Sequence, residues 1–197
     1  MKNKHIRSVI LVLGMLVLVS CSSVNQPPGE LNKLFIDMGE ADLFKENDSD
    51  KIVIRFVLES RSATTDKLRM VSIEMDKDLK HGTAVLKKSG TTKIANDWVI
   101  DEPNELVLDV DDLNATNIEL TSEQCKKLNS IFKQCDFFNL ERDNKQVGFD
   151  GEHWYFEAKV GARYQIIKRW SPDYPESNSA IVLLGREMLN LFGEKIT

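Results

Sequence analysis

The sequence predicts an α+β fold: an antiparallel sheet, made of a meander plus a C-terminal hairpin, packed by two helices. Three observations predict it. Several short segments in the first half alternate apolar and polar residues at period two, with loops rich in Lys, Asp, Gly and Thr between them. A capped amphipathic run follows at Thr121, and a second apolar helical run ends at Gly193. Between those runs lies FDGEHWYFEAKVGARYQIIKRWSP, residues 149–172, which reads as two strands joined by a Gly-led turn. Helices set apart from an antiparallel sheet define this class.

Residues 31–197 are read as one domain. Leu31 to Phe44 is read as a short helix with Leu31, Leu34, Phe35 and Met38 on one side; Gly39 weakens it, and an extended reading competes. Glu46 to Asp50 is a loop. Lys51–Glu59 carries Ile52, Ile54, Phe56 and Leu58 at period two. In Leu68–Met75 the set Arg69, Val71, Ile73 and Met75 is the more apolar face. Weaker strand candidates are Thr83–Lys87, Lys93–Ile100 and Glu105–Val110. Thr121 at the N-cap with Gln124 at N3 forms a capping box for a helix to about Gln134. Asp136 to Leu140 then brings Phe137 and Phe138 to the core. Ser179–Phe192 is a helix with Ile181, Leu184, Met188 and Leu191 on one face, stopped by Gly193.

The hairpin admits a sharper reading. Val160-Gly161-Ala162-Arg163 fits a two-residue type II′ loop. Val160 then opposes Arg163, Phe156 opposes Ile167, Tyr155 opposes Lys168 and Trp154 opposes Arg169. Opposed residues share a face, so Arg169 over Trp154 would be a cation–π pair. Asp150-Gly151 is a turn before the first strand, and Ser171-Pro172 closes the second.

Residues 1–7 carry Lys2, Lys4 and Arg7 and no acid; residues 8–19 are almost wholly apolar and too short to span a bilayer. Leu18-Val19-Ser20-Cys21 follows at once and resembles the lipobox of bacterial lipoproteins. The resemblance implies a signal peptide over residues 1–20, diacylglycerol transfer to the Cys21 thiol, cleavage before it, and acylation of the new amine. It implies a lipid-anchored protein of the bacterial cell envelope, and Ser22 implies the outer membrane if the organism is Gram-negative. Residues 21–30, with Pro27-Pro28 and Gly29, form a polar, flexible tether.

Cleavage would leave 177 residues (197 − 20), enough for one domain with a real core, and move the net charge from −5 to −8 by removing three basic residues. Such an acidic chain carries no electrostatic footprint for nucleic acid. Its membrane contact is expected through the lipid on Cys21. Cys125 and Cys135 fall on one helical stripe with Leu128 and Phe132. In a continuous helix they lie about 15 Å apart, beyond disulfide reach. They read as buried thiols unless the helix breaks early.

Catalytic signatures are scarce. The sequence lacks G-x-S-x-G, H-E-x-x-H, C-x-x-C and a Walker loop, and no cofactor or metal is expected. His153, beside Asp150 and Glu152, could pair with a carboxylate; a half-exposed strand histidine is the plainer reading. Asp112, Asn114, Thr116 and Glu123 match the spacing of an EF-hand loop, but Glu123 is better used in the first turn of the capped helix. Lys80, Lys87, Lys88 and Lys93 could form a basic patch, or a solvated face. Trp154, Tyr155, Arg169 and Trp170 are the candidate partner-binding residues, because Trp and Arg most often carry interface energy.

The segments D-G-x-x-W (Asp150, Gly151, Trp154) and Y-x-x-x-x-R-W-S-P (Tyr164, Arg169 to Pro172) follow a capped helix and precede an apolar one. They resemble a recurring domain of small uncharacterised bacterial proteins, over about the last eighty residues. The resemblance implies a fold and no activity. Two function classes are expected: an envelope interaction module with a protein partner, or an envelope enzyme acting on cell-wall glycan through a carboxylate pair such as Glu152 and Glu157.

Overall fold

The computed structural model describes residues 29–47, 50–61, 66–89, 113–143, 151–172 and 179–196. The signal peptide, Cys21, the tether up to residue 28, the turn residue Asp150 and the strand candidates at 93–100 and 105–110 lie outside the described residues.

A 3-10 turn, Gly29–Asn32, leads into a one-turn helix α1, Lys33–Asp37. The strands are β1 (Lys51–Arg61), β2 (Asp66–Asp76), β3 (Gly82–Lys88), β4 (Asn114–Leu120), β5 (Gly151–Val160) and β6 (Arg163–Trp170). The helices α2 (Ser122–Gln134) and α3 (Ala180–Asn190) complete the chain, with a 3-10 turn at Phe137–Asn139. All strands pair antiparallel in the order β4-β3-β2-β1-β5-β6. The meander β1 to β4 therefore grows from one side of β1, and the hairpin docks on the other. The class is α+β with an antiparallel sheet, as expected.

One face of the sheet carries Ile52, Ile54, Phe56, Leu58, Val71, Ile73, Met75, Trp154, Phe156 and Ile167 under α2 and α3. The opposite face is buried too. Phe35, Met38 and Leu43 cover Val57, Leu68, Met70, Tyr155, Tyr164 and Ile166. Residues 29–46 thus form a strap across the second face, a third layer beyond the two expected helices. This explains why β2 looks apolar on both sides: Leu68 and Met70 meet the strap, Val71 and Ile73 the helices.

Local chemistry sets the element ends. Thr121 and Gln124 form both halves of the capping box: Gln124 N donates to Thr121 Oγ1 at 3.2 Å, and Thr121 N donates to Gln124 Oε1 at 2.8 Å. α2 ends where Asp136 turns left-handed, at φ 46°. Cys125 and Cys135 are free, buried thiols. Burial raises the pKa of both, that of Cys135 to about 12. In α3 the buried set is Val182, Leu184, Gly185, Met188 and Leu189; Ile181 and Leu191 are partly buried, so the inward face is centred on Gly185. The hairpin register is the expected one: Val160 pairs with Arg163, Phe156 with Ile167 and Trp154 with Arg169. Gly161 carries φ 59° and Ala162 does not go positive, as a II′ turn requires.

Candidate functional site

The strap face holds a seam of charge inside an otherwise apolar layer. It is built by period two. Arg55 and Glu59 point to the strap side of β1, because Ile54, Phe56 and Leu58 point to the helices. On β5 the same side carries His153, Tyr155, Glu157 and Lys159. Register then joins them: Arg55 opposes Glu157 and Glu59 opposes His153.

At the centre, Arg55 Nη1 donates to Glu157 Oε2 at 2.9 Å, and both side chains are almost fully buried. Tyr164, from β6, donates its hydroxyl to Glu157 Oε1 at 2.8 Å. Arg55 Nη1 also donates to the carbonyl of Ala41 at 2.8 Å, and its Nε stands 3.2 Å from Glu40 Oε2. Glu40 in turn pairs with Lys87 of β3 at 2.7 Å. Lys87 donates to the carbonyl of Met38, and Lys159 to those of Leu43, Phe44 and Glu46. Three cations from three strands thus hold the strap by its main chain, and two glutamates balance most of their charge.

Burial pushes the Glu157 carboxyl above its usual range, while Arg55 and the Tyr164 hydroxyl draw it back. Burial, then the nearby Glu157 charge, pushes the Tyr164 phenol up as well. A carboxyl raised by desolvation is the kind used for proton transfer. Here it already accepts two hydrogen bonds and lies under the strap, so its chemistry is that of a structural anchor.

A second group lies along the same face. Tyr155 donates its hydroxyl to Glu59 Oε2 at 3.0 Å, and His153 Nδ1 stands 3.7 Å from the same oxygen. Lys168 sits over the Tyr155 ring, 5.7 Å from its centroid. The carboxylate that meets His153 is therefore Glu59, across the ladder, and not Asp150 or Glu152 beside it in sequence. Glu59 is buried, and His153 is partly exposed.

The candidate partner-binding residues fare differently. Trp154 is fully buried, Tyr155 and Arg169 are buried, and only Trp170 is partly exposed. The expected aromatic binding patch is not formed, because β5 lies inside the sheet with a packed layer on each face. Trp154 instead packs on Phe56 and Phe156, at ring-centroid distances of 5.2 and 6.2 Å. The expected cation–π pair is replaced too. Arg169 donates to the carbonyls of Glu141 and Lys168, at 2.8 and 2.7 Å. These main-chain acceptors would otherwise lack a donor, and they hold the guanidinium more strongly than a ring face does. Among the described residues the cation–π contacts are Arg163 over Phe138 and Lys168 over Tyr155.

Glu152 and Glu157 lie on opposite faces of β5 and do not converge. Glu152 accepts from Ser60 Oγ at 2.6 Å; Glu157 serves Arg55. The lysine patch is dispersed into ion pairs: Lys80 with Asp78, Lys87 with Glu40, Lys88 with Glu194. Lys93 lies outside the described residues. The calcium-loop spacing is also overturned, because Asn114 to Leu120 is a strand paired along its length with β3. Among the described residues, no group of three His, Cys, Asp or Glu side chains is placed to hold a metal ion.

Sequence reasoning missed Arg55, Glu59 and Glu40. A signal for two of them was present. Arg55 and Glu59 are even-spaced charges in an apolar strand, so they had to share one face and find partners there. A scan against protein-family models matches no family, and a search of curated proteins finds no relative.

Proposed function

We propose that the chain is a lipid-anchored protein of the bacterial envelope, acylated at Cys21, whose α+β domain serves as an interaction module. The observation that carries the anchoring is the succession of a basic segment, an apolar run of residues 8–19 and Leu18-Val19-Ser20-Cys21. The domain's own construction supports it. The tether runs straight into the strap, and the strap is fixed to the sheet through Arg55, Lys87 and Lys159. A load entering at the N-terminus meets those contacts first. The module reading is supported by the carboxylates: Glu152 and Glu157 face apart, and Glu157 is spent on Arg55 and Tyr164.

The anchoring is tested by Cys21→Ser in cells fed radiolabelled palmitate. The expected result is unprocessed precursor without label. Mature-size protein in the membrane fraction, equally unlabelled in the wild type, would remove the lipoprotein reading. The module reading is tested separately. Turnover of a cell-wall glycan by the purified chain, abolished by Glu157→Gln in a variant that keeps its fold, would replace it with an enzyme.

A further inference from the structure

The two edges of the sheet are finished in different ways. On β6, residues 140–143 close the edge. Lys168 N donates to the carbonyl of Arg142 at 2.7 Å, Asp143 bridges to Lys168, and Gln165 and Arg169 donate to the carbonyls of Leu140 and Glu141. On β4, among the described residues, the one strand neighbour is β3. Asn114 to Asn117 are exposed. The strand, Asn-Ala-Thr-Asn-Ile-Glu-Leu, holds no proline, lysine or arginine, the residues that usually keep an edge from pairing.

We propose that β4 is an interface between two copies of this chain, which pair their β4 strands antiparallel across a two-fold axis and continue the sheet. The sequence of β4 is compatible with itself. A two-fold normal to the sheet must bring a residue opposite its own copy, since paired residues share a face. With Asn117 on the axis, all seven residues pair. Glu119, the one charge in the strand, then faces Ala115 of the second copy and not another carboxylate. Thr116 faces Ile118, a β-branched pair of the kind that stabilises ladders. Ile118 is only partly buried against the helix-side core because β4 has no outer neighbour. Pairing supplies the missing side. The inference rests on β4 alone and stands or falls apart from the lipid reading.

The test uses the full-length chain in detergent micelles with Asn117→Cys, an exposed position whose two copies would stand within disulfide reach on the axis. The wild type, with Cys125 and Cys135 buried, and Ser130→Cys, exposed on α2, set the background. Under copper–phenanthroline oxidation, Asn117→Cys should give a dimer band at least about tenfold stronger than either control, the scale of one specific contact over random collision. Ala115→Cys should crosslink less than Asn117→Cys, because residue 115 opposes residue 119. Adding Thr116→Lys to Asn117→Cys places two like charges across the axis and should return the band to background. Crosslinking of Asn117→Cys at background overturns the proposal. So does a dimer that persists with Thr116→Lys, or a product whose mass shows a different protein joined at residue 117.

Discussion

Gly185 is the position where α3 comes closest to the sheet, and it gives a prediction with a sign change. A Cβ at Gly185 would stand 2.8 Å from Trp154 Cζ3 and 3.2 Å from the Cζ atoms of both Phe156 and Phe56. Trp154 is fully buried and wedged between those rings, so it cannot yield as a flexible side chain would. Overpacking of this kind costs about 1–3 kcal/mol. Replacing Gly by Ala inside a helix returns about 1 kcal/mol. Gly185→Ala alone should therefore destabilise by about 1 kcal/mol. Trp154→Phe removes the Cζ3 contact, at its own cost in core packing. In that background Gly185→Ala should stabilise, by about 0.5 kcal/mol, since the 3.2 Å contacts need only small adjustments. The coupling between the two sites, roughly 1.5 kcal/mol, is of the size seen for residues in direct contact. Equilibrium urea unfolding of the four variants, followed by far-UV circular dichroism, measures it. The reasoning fails if Gly185→Ala stabilises the wild type, or if it shifts both backgrounds equally.

Two further outcomes are expected. Arg55→Ala leaves Glu157 buried beside Tyr164 with no cation and strips Ala41 of its donor, so it should cost about 3–5 kcal/mol, as broken buried pairs do; Glu157→Gln, which keeps a hydrogen-bond acceptor, should cost less, and the same unfolding experiment ranks them. The hydrogen bond from Lys88, and Lys88 and Arg69 as charges, hold the Glu194 carboxyl below its usual range. A lowered acid contributes stability above its unfolded pKa and loses it as pH falls, so amide exchange at residues 192–196 should rise below about pH 4.5, and Glu194→Gln should exchange fast at every pH.

How much was legible depended on whether the partner was close in sequence. The hairpin register followed from Gly161, because a two-residue turn fixes every pair outward from itself. The capping box followed from Thr121 and Gln124, three residues apart. What Trp154 faces did not follow. The alternation placed Trp154 with Phe156 and Ile167, but not which layer would cover them, and that layer is α3, some thirty residues on. β4 was missed for the opposite reason. A polar strand at an edge, mostly exposed, has no apolar period to read. The polar seam was hidden by distance as well: Arg55 reaches Ala41 across 14 residues and Glu157 across 102.

The seam also explains how so slight a segment is held. α1 is five residues long, too short to be stable alone. Phe35, Met38 and Leu43 supply apolar burial, yet laying residues 38–46 over a sheet face without regular structure strands their carbonyls away from strand or helix partners. Arg55, Lys87 and Lys159 are long enough to reach those carbonyls from three strands. Three cations under a strap need counter-charge, and Glu40 from the strap and Glu157 from the sheet provide it. A buried ion pair is usually exchangeable for apolar residues of similar volume with little loss. That exchange should fail at Arg55, because an apolar side chain would leave the Ala41 carbonyl and the Tyr164–Glu157 pair unanswered at once. The charges are kept for the backbone they satisfy, and the strap is docked in one place because only there do its carbonyls meet donors.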